Sequence, residues 1–565
     1  MKAGFPVTAV PETLKNFLPA NFSRDVTIDG LALALLAIGL AALYGPHLGA
    51  PLVFDDIDFF GSNYASLFGG QFSPLMHRYW SYWSFAFQRI VFGDDLFLFR
   101  LVNVALHLMV GGAIYLFIRT LHSIALADNP VRLNSLDQRL ILWLSVTLFL
   151  FHPVVVYGVA YLVERSIVMA TLFSLLMWWA HLRGLASNKP GWFLLAILFY
   201  YLALYSKEHS VMAPAVACLL TLLATRVAAQ RRLLILVFLA YFALATSALF
   251  ASRYTIASQY EPLVGGIRHA YLASILTQSG LFFKYLCAWW VPLTSNMSID
   301  IREPLAPLDA IQSWLSLAAF LAYGATAFHL VLRKGRVGLL GFAMLAPALL
   351  FMTEFSTVRI QESFVLYRSY LWLPPMLVAL PLVVGPAGDG KRVLALGLAI
   401  CAVAVLFVLT AGRLTIFDSA FRLWDEAIFL AERRGDTSLR DRQYANRGGT
   451  QLAARNFGLA LQDFERALQW NPSNPVALLG KGRALAQSGR PEQARVCFDR
   501  ALAIQPDWIE AYLARAELFN QLGNQQAALA DFGQACARGA SIACYAKEKI
   551  RFGKTAPVTI SISPP

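Results

Sequence analysis

Three aspartates crowd the stretch PLVFDDIDFFGSN, residues 51–63. Asp55, Asp56 and Asp58 stand among Phe54, Phe59 and Phe60, directly after a long apolar run. A carboxylate held beside apolar surface loses hydration, and its pKa rises unless cations or hydrogen bonds hold the charge. So placed, it can act as general base toward an alcohol within hydrogen-bond reach. An acidic triplet can also ligate a divalent cation, or can simply be a solvated loop. Spacing alone leaves these readings open.

Three further segments carry ionisable groups next to apolar runs. FHPVVVYGVAYLVERSIVMATLF (151–173) holds His152 and Glu164–Arg165, YSKEHSVMAPAV (205–216) holds Lys207–Glu208, and IQESFVLYRSYLWLPP (360–375) holds Glu362, Tyr367 and Arg368. Ionisable groups at the depth of a membrane span are costly and commonly face an interior cavity. Cations beside carboxylates suit a phosphate-linked lipid, with Arg165, Lys207 and Arg368 for the phosphate and an aspartate for the acceptor. His152, Glu164, Glu208, Glu362 and Tyr367 are supporting candidates. The plainer alternatives are a polar contact beside a proline kink for His152, an interfacial ion pair for Lys207–Glu208, and snorkelling anchors for Arg165 and Arg368.

The elements that must position these groups are helices. Of 565 residues, 58% are hydrophobic and 14% charged, more apolar surface than one soluble core can hide. A span needs about 20 mostly apolar residues. That rule gives spans near 28–47, 97–118, 140–160, 166–184, 190–206, 210–227, 232–250, 309–332, 337–355, 367–386 and 392–412. The stretch 275–293, with Gln278, Lys284 and a Trp pair, reads as interfacial or re-entrant. The excess of basic residues, net charge +13, falls largely in short loops: Arg119/Arg132/Arg139, Arg183/Lys189, Arg226/Arg231/Arg232, Arg333/Lys334/Arg336 and Lys391/Arg392. By the positive-inside rule this predicts a cytoplasmic N-terminus and an opposite, extracytoplasmic C-terminus. The same distribution implies anionic lipid headgroups, not nucleic acid, as the basic surface's partner. The first apolar run reads as a retained span, not a cleaved signal peptide. Cys218, Cys287 and Cys401 lie in apolar runs, no CxxC occurs, and a Cys536–Cys544 bridge is allowed if that region is extracytoplasmic.

After Arg413 the composition becomes that of a soluble helical domain. Residues 441–474, 475–508 and 509–542 form three units of 34 residues. Ala460, Ala494 and Ala528 recur at one phase, Ala467, Ala501 and Ala535 at another, with Phe464, Phe498 and Phe532 between them. This is the tetratricopeptide period, with small residues where paired helices cross. Residues 414–440 read as a connecting half-repeat, and 543–565 as a capping helix and disordered tail. Such arrays offer concave surfaces to a peptide or protein.

The fold class predicted is therefore all-α: a polytopic bundle over 28–413, with a first outer loop at 48–96 and a large outer loop at 251–308, preceded by a cytoplasmic segment 1–27 and followed by an α-solenoid. FDDIDFF, LFRLVNVALHLMVG (98–111), HPVVVYGVAYLVERS, YSKEHSV, YLCAWWVPLTSNMSID (285–300) and LYRSYLWLPP occur in an order that, together with the repeats, resembles the transmembrane and tetratricopeptide repeat O-mannosyltransferase-like proteins and their bacterial relatives, of the C-type glycosyltransferase fold. The resemblance implies inverting transfer of a sugar from a polyprenyl-phosphate carrier to a Ser/Thr hydroxyl of a protein acceptor held by the repeats. It also implies that an aspartate of the first outer loop, Asp56 or Asp55 with Asp56 slightly favoured, acts as base. No cofactor is required; a divalent cation on Asp55, Asp56 and Asp58 is allowed. The alanine-rich sequence and short loops suggest a bacterial inner membrane with a periplasmic repeat array. A transporter or flippase of lipid-linked sugars, and a non-catalytic scaffold, are the competing readings.

Overall fold

The computed structural model describes residues 22–60, 73–127, 135–224, 231–264, 269–359, 362–384, 389–435 and 440–551. The expected N-terminal segment up to residue 21 and the tail after Arg551 lie outside these. Among the described residues the chain forms helices and no strand; Ile301 and Phe364 make one isolated antiparallel bridge.

The core of the N-terminal bundle is the helix Arg165–Ser187, packed between Leu96–Ala125 and Pro190–Leu204. Close approach rests on small residues. A Cβ on Gly184 would come within 2.8 Å of the Phe193 ring, and one on Gly111 within 2.9 Å of Leu150. Among the described residues seven helices are long and apolar enough to cross a membrane: Thr27–His47, Leu96–Ala125, Leu162–Ser187, Arg231–Phe250, Ile311–Leu332, Gly335–Phe355 and Val393–Phe417. Several turn large apolar faces outward, including Phe242, Leu321, Leu398 and Val408.

Four of the expected spans take other forms. The segment 140–160 bends by 50° between Asp137–Leu150 and Pro153–Val159, because Pro153 lacks the N–H that would continue the helical ladder. Pro190–Leu204 and Ala213–Leu223 are short; at about 1.5 Å per residue neither alone reaches the roughly 30 Å of a hydrocarbon core. Residues 366–384, rich in proline, break into 3₁₀ and short α turns. Conversely, much of the expected loop 251–308 is helical, as Arg231–Val264 and Ala270–Trp290. The stretch read as interfacial or re-entrant lies mostly within a single continuous helix. Within it Gln278 donates to the Ser363 carbonyl at 2.9 Å, and Lys284 pairs with Glu303.

The C-terminal array follows the 34-residue period. Its helix pairs are Asp441–Ala453 with Phe457–Trp470, Pro475–Gln487 with Pro491–Ile504, and Ile509–Gln521 with Gln525–Ala537. The six phased alanines and three phenylalanines are all buried. Ala420–Arg433 packs ahead of the first pair, and Ser541–Arg551 packs on the last, joined to it by the Cys536–Cys544 disulfide.

Gly482 faces Phe498 so closely that a Cβ would lie 2.4 Å from the ring, whereas Gly458 has open space. Gly482→Ala therefore destabilises the array by about 1–3 kcal/mol through overpacking, and limited proteolysis of the whole protein should cut the array faster. Gly458→Ala should slow that cleavage slightly, as a helix gains from losing glycine.

Candidate functional site

The chain leaves Phe22–Tyr44 and is pinned by Arg100, whose guanidinium donates to the carbonyls of Leu48 at 3.3 Å and Pro51 at 2.7 Å. Phe54 then adopts φ +51°, a costly conformation for a bulky residue. Its ring is clamped edge-on by Trp424 at 5.4 Å, with Tyr161 at 6.2 Å. This strained residue starts the single helical turn Asp55–Asp58 and sets its two describable carboxylates in different places.

Asp56 is fully buried. It accepts from the backbone N–H groups of Leu162 at 3.3 Å and Val163 at 2.8 Å, and so caps the turn Leu162–Glu164 that starts the central helix. Burial pushes its carboxyl up to about 7, against the Val163 hydrogen bond and the Arg100 charge. Asp55 is exposed, and its backbone N–H donates to the Tyr161 hydroxyl at 3.0 Å. Its carboxyl is nonetheless partly stripped of water by the surrounding protein. That loss of water, with repulsion from Glu362, raises it to about 6, while the Tyr161 hydroxyl pulls the other way. The geometry thus makes Asp55, not Asp56, the accessible member of the pair. Among the described residues no three His, Cys, Asp or Glu side chains group as metal ligands; the Asp58 side chain lies outside the described set.

Beside Asp55 lies a buried ionic network. Lys207 pairs with Glu164 at 3.1 Å and lies 5.1 Å from the Tyr367 ring centre. Arg368 donates to Glu354 at 3.2 Å, to the Glu362 carboxylate at 2.7 Å and to its carbonyl at 2.9 Å. Arg78 holds Glu208 at 3.0 Å, and His209 meets Glu354 at 3.2 Å. Lys207 and Arg368, expected as open phosphate ligands, are thus already paired. Arg165 is an internal strut: it donates to Asn103 at 2.6 Å, Gln88 at 3.0 Å and the Phe99 carbonyl at 2.8 Å, and lies over the Phe85 ring. His152 follows the plainer reading. It caps the turn after the kink through Val154 N–H and bonds the Trp289 carbonyl at 3.0 Å.

Sequence reasoning passed over Glu354, Arg78, Asp300 and Arg442. Glu354 carried a usable signal, a carboxylate at the end of an apolar run. Asp300 and Arg442 carried none, because they meet across 142 residues. Arg442, on the first repeat helix, forks onto Asp300, with Nε 3.1 Å from Oδ2. Arg302 reaches Asp441 at 3.5 Å, and Gln443 donates to the Asp300 carbonyl at 3.1 Å. Arg413 pairs with Glu426, and His47 with Asp418 at 2.7 Å. The array is therefore docked on the end of the bundle that carries Asp55. Phe54, Tyr161, Asp300, Glu362, Tyr367 and Arg442 line a recess at that joint.

Residues 451–518 match the tetratricopeptide repeat family. The human tetratricopeptide repeat protein 13 is 32% identical over 78 residues, 14% of this chain and 9% of that protein. The STIP1 homolog of Dictyostelium discoideum is 24% identical over 81 residues, 14% of each chain. The chain thus spans a small fraction of the relatives it matches, and tetratricopeptide arrays commonly bind proteins.

Glu354 is fully buried and pairs with Arg359 and Arg368, whereas the Glu362 side chain is one-third exposed. Glu354→Ala leaves buried cations uncompensated and should cost about 3–5 kcal/mol. Thermal unfolding in detergent should show a large drop in Tm for Glu354→Ala and a clearly smaller one for Glu362→Ala.

Proposed function

We propose that the protein is a membrane-embedded glycosyltransferase that moves a sugar from a polyprenyl-phosphate carrier to a Ser/Thr hydroxyl of a protein acceptor. On this reading the apolar helices, short and broken ones included, form a bundle of about 11 spans. The Asp55 face and the repeats lie outside the cytoplasm, in a bacterium in the periplasm. The Cys536–Cys544 bridge supports this placement, since such bonds persist in oxidising compartments.

The observation that carries the reading is an exposed carboxylate, raised to about 6, that directly follows Phe54, a lining residue of the recess at the joint between the bundle and the repeat array. In the reaction Asp55 takes the proton of the acceptor hydroxyl. The hydroxyl oxygen attacks the anomeric carbon from the face opposite the carrier. The bond to the phosphate oxygen breaks, the carrier phosphate leaves with the electron pair, and the configuration inverts. Asp56 holds the turn that aims Asp55. Phe54 and Tyr367, half-buried at the recess, offer ring surface to a sugar, and Glu362 offers an acceptor to its hydroxyls. The cations around the recess, Arg442 on its lining and Lys207 and Arg78 within the paired network, each hold a carboxylate already; neutralising the leaving phosphate requires those carboxylates to share the charge. Arg165 has no role in this step.

A scaffold reading rests on the full internal pairing of Lys207 and Arg368, which leaves no free cation among the three expected phosphate ligands. Intact-mass comparison of periplasmic proteins from cells with and without the chain separates the two, because an enzyme leaves a sugar-sized mass on its acceptor. Asp55→Asn should lower that transfer by about 10²–10⁴-fold while the protein still folds; undiminished transfer would remove Asp55 as the base. With the acceptor in hand, the rate should fall as pH drops through about 6, where Asp55 takes up its proton.

A further inference from the structure

The helix Tyr79–Phe92 has two unlike faces. Ser81, Phe85 and Gln88 form a buried stripe against the bundle. Trp83, Phe87, Ile90 and Val91 form the opposite stripe and are exposed, Ile90 to 74%. Trp83 and Phe87 stack on each other at 5.3 Å. No charged side chain belongs to this outer stripe, which is an expensive surface to leave in water.

Principles of seating decide how the helix lies. Arg165 sits beneath its middle: the guanidinium donates to Ser84 Oγ at 3.2 Å and Gln88 Oε1 at 3.0 Å, and lies 3.8 Å from the Phe85 ring centre. The same guanidinium reaches Asn103 and the Phe99 carbonyl in the first turns of Leu96–Ala125. At the N-terminal end, Trp80 N–H donates at 3.1 Å to the carbonyl of Tyr205, the residue that closes Pro190–Leu204, and Arg78 holds Glu208. At the other end Gly93, with φ +73°, turns the chain so that Asp95 caps Leu96–Ala125 through Phe97 N–H at 2.8 Å. The Lys207–Glu164 pair joins the end of Pro190–Leu204 to the start of the central helix. The ends of three apolar helices thus meet at one face of the bundle, and Tyr79–Phe92 runs across them. Its 14 residues make about 21 Å of helix, too short to cross a bilayer.

The outward apolar surface continues past the turn, with Phe97 and Leu101 exposed on the candidate span Leu96–Ala125. Arg89 and Asp94, the charges nearest that turn, pair with each other at 3.0 Å. Tyr79, Trp80, Tyr82 and Trp83 give the first turns the aromatic make-up of a segment at headgroup level. Continuity with a span, and an outer stripe without charge, favour lipid over a protein partner as what covers it.

We propose that Tyr79–Phe92 is an interfacial helix that lies in the plane of the bilayer on the Asp55 side, with Trp83, Phe87, Ile90 and Val91 against phospholipid acyl chains near the headgroups and Arg165 as the strut that seats it. The proposal rests on the reading of the bundle as membrane-embedded. It turns part of the expected outer loop 48–96 into a membrane-lying segment. It also sets Arg78, Glu208 and Lys207 at headgroup depth, so a lipid-linked phosphate moving in that leaflet reaches their network from the side, without leaving the bilayer.

The test uses the full-length, unaltered protein in vesicles of phosphatidylethanolamine and phosphatidylglycerol. A phosphatidylcholine tracer carries a diazirine either near the ester end of its acyl chain or at the chain terminus. Adducts formed on illumination are mapped by tandem mass spectrometry. The shallow probe should label Trp83, Phe87, Ile90 and Val91 several-fold more than the deep probe does. Val405, exposed in the middle of the helix Val393–Phe417, should show the reverse preference. Labelling of Val405 with none on residues 83–91 would overturn the proposal alone, since protein or water then covers the stripe. Equal or stronger labelling of 83–91 by the deep probe would overturn it as well, because the helix then dips into the hydrocarbon core. Absence of adducts at Val405 too would remove the membrane reading, and the proposal with it. Sugar transfer plays no part in the readout.

Discussion

A charge inside an apolar bundle is tolerated only when a neighbour meets both its charge and its hydrogen bonds. That constraint organises this molecule. Glu164 and Lys207, Glu354 with Arg359 and Arg368, and Arg165 with its ring of neutral acceptors tie separate helices together at fixed points. Each pair is expensive to bury and more expensive to break, so together the pairs define where the helix ends can sit. The strained Phe54 and the exposed Asp55 are held against this frame, which keeps an unfavourable conformation populated.

The two carboxylates of Asp55–Asp56 show how one residue type takes opposite roles. Both are raised in pKa by loss of water, yet Asp56 spends its oxygens on two buried backbone N–H groups, whereas Asp55 stays at the surface beside the Tyr161 hydroxyl. A cap fixes geometry; an exposed carboxylate with a pKa near the ambient pH can exchange a proton. Adjacent positions on one turn point in different directions, and the packing of Tyr161 and Val163 decides which is which.

The repeat array obeys a different constraint, shape. Alanine and glycine at the helix crossings admit Phe464, Phe498 and Phe532, and that packing builds a solenoid that needs little from the bundle for its own core. Its attachment adds polar contacts: ion pairs at Asp300, Asp441, Glu426 and Asp418, beside Leu423 in the bundle core and Trp424 on Phe54. A joint made of charged pairs can respond to ionic strength or to a bound partner in a way that a merged hydrophobic core does not.

The helical class, the repeat and its phased residues, and the collection of ionisable groups near Asp55 were legible in the amino-acid sequence, because periodicity and apolar runs are local properties of a chain. Continuity and length of the helices were less so. Pro153 and the prolines after Arg368 bent or broke segments that composition alone treats as continuous, while most of 275–293 runs as one helix, with Gln278 bonded to the distant Ser363 carbonyl and Lys284 paired with Glu303. Partnership lay wholly with the tertiary structure. Lys207 finds Glu164 across 43 residues and Arg442 finds Asp300 across 142. A lone cation in a sequence looks the same whether it will hold a ligand or a carboxylate, and only the fold brings up the group that neutralises it.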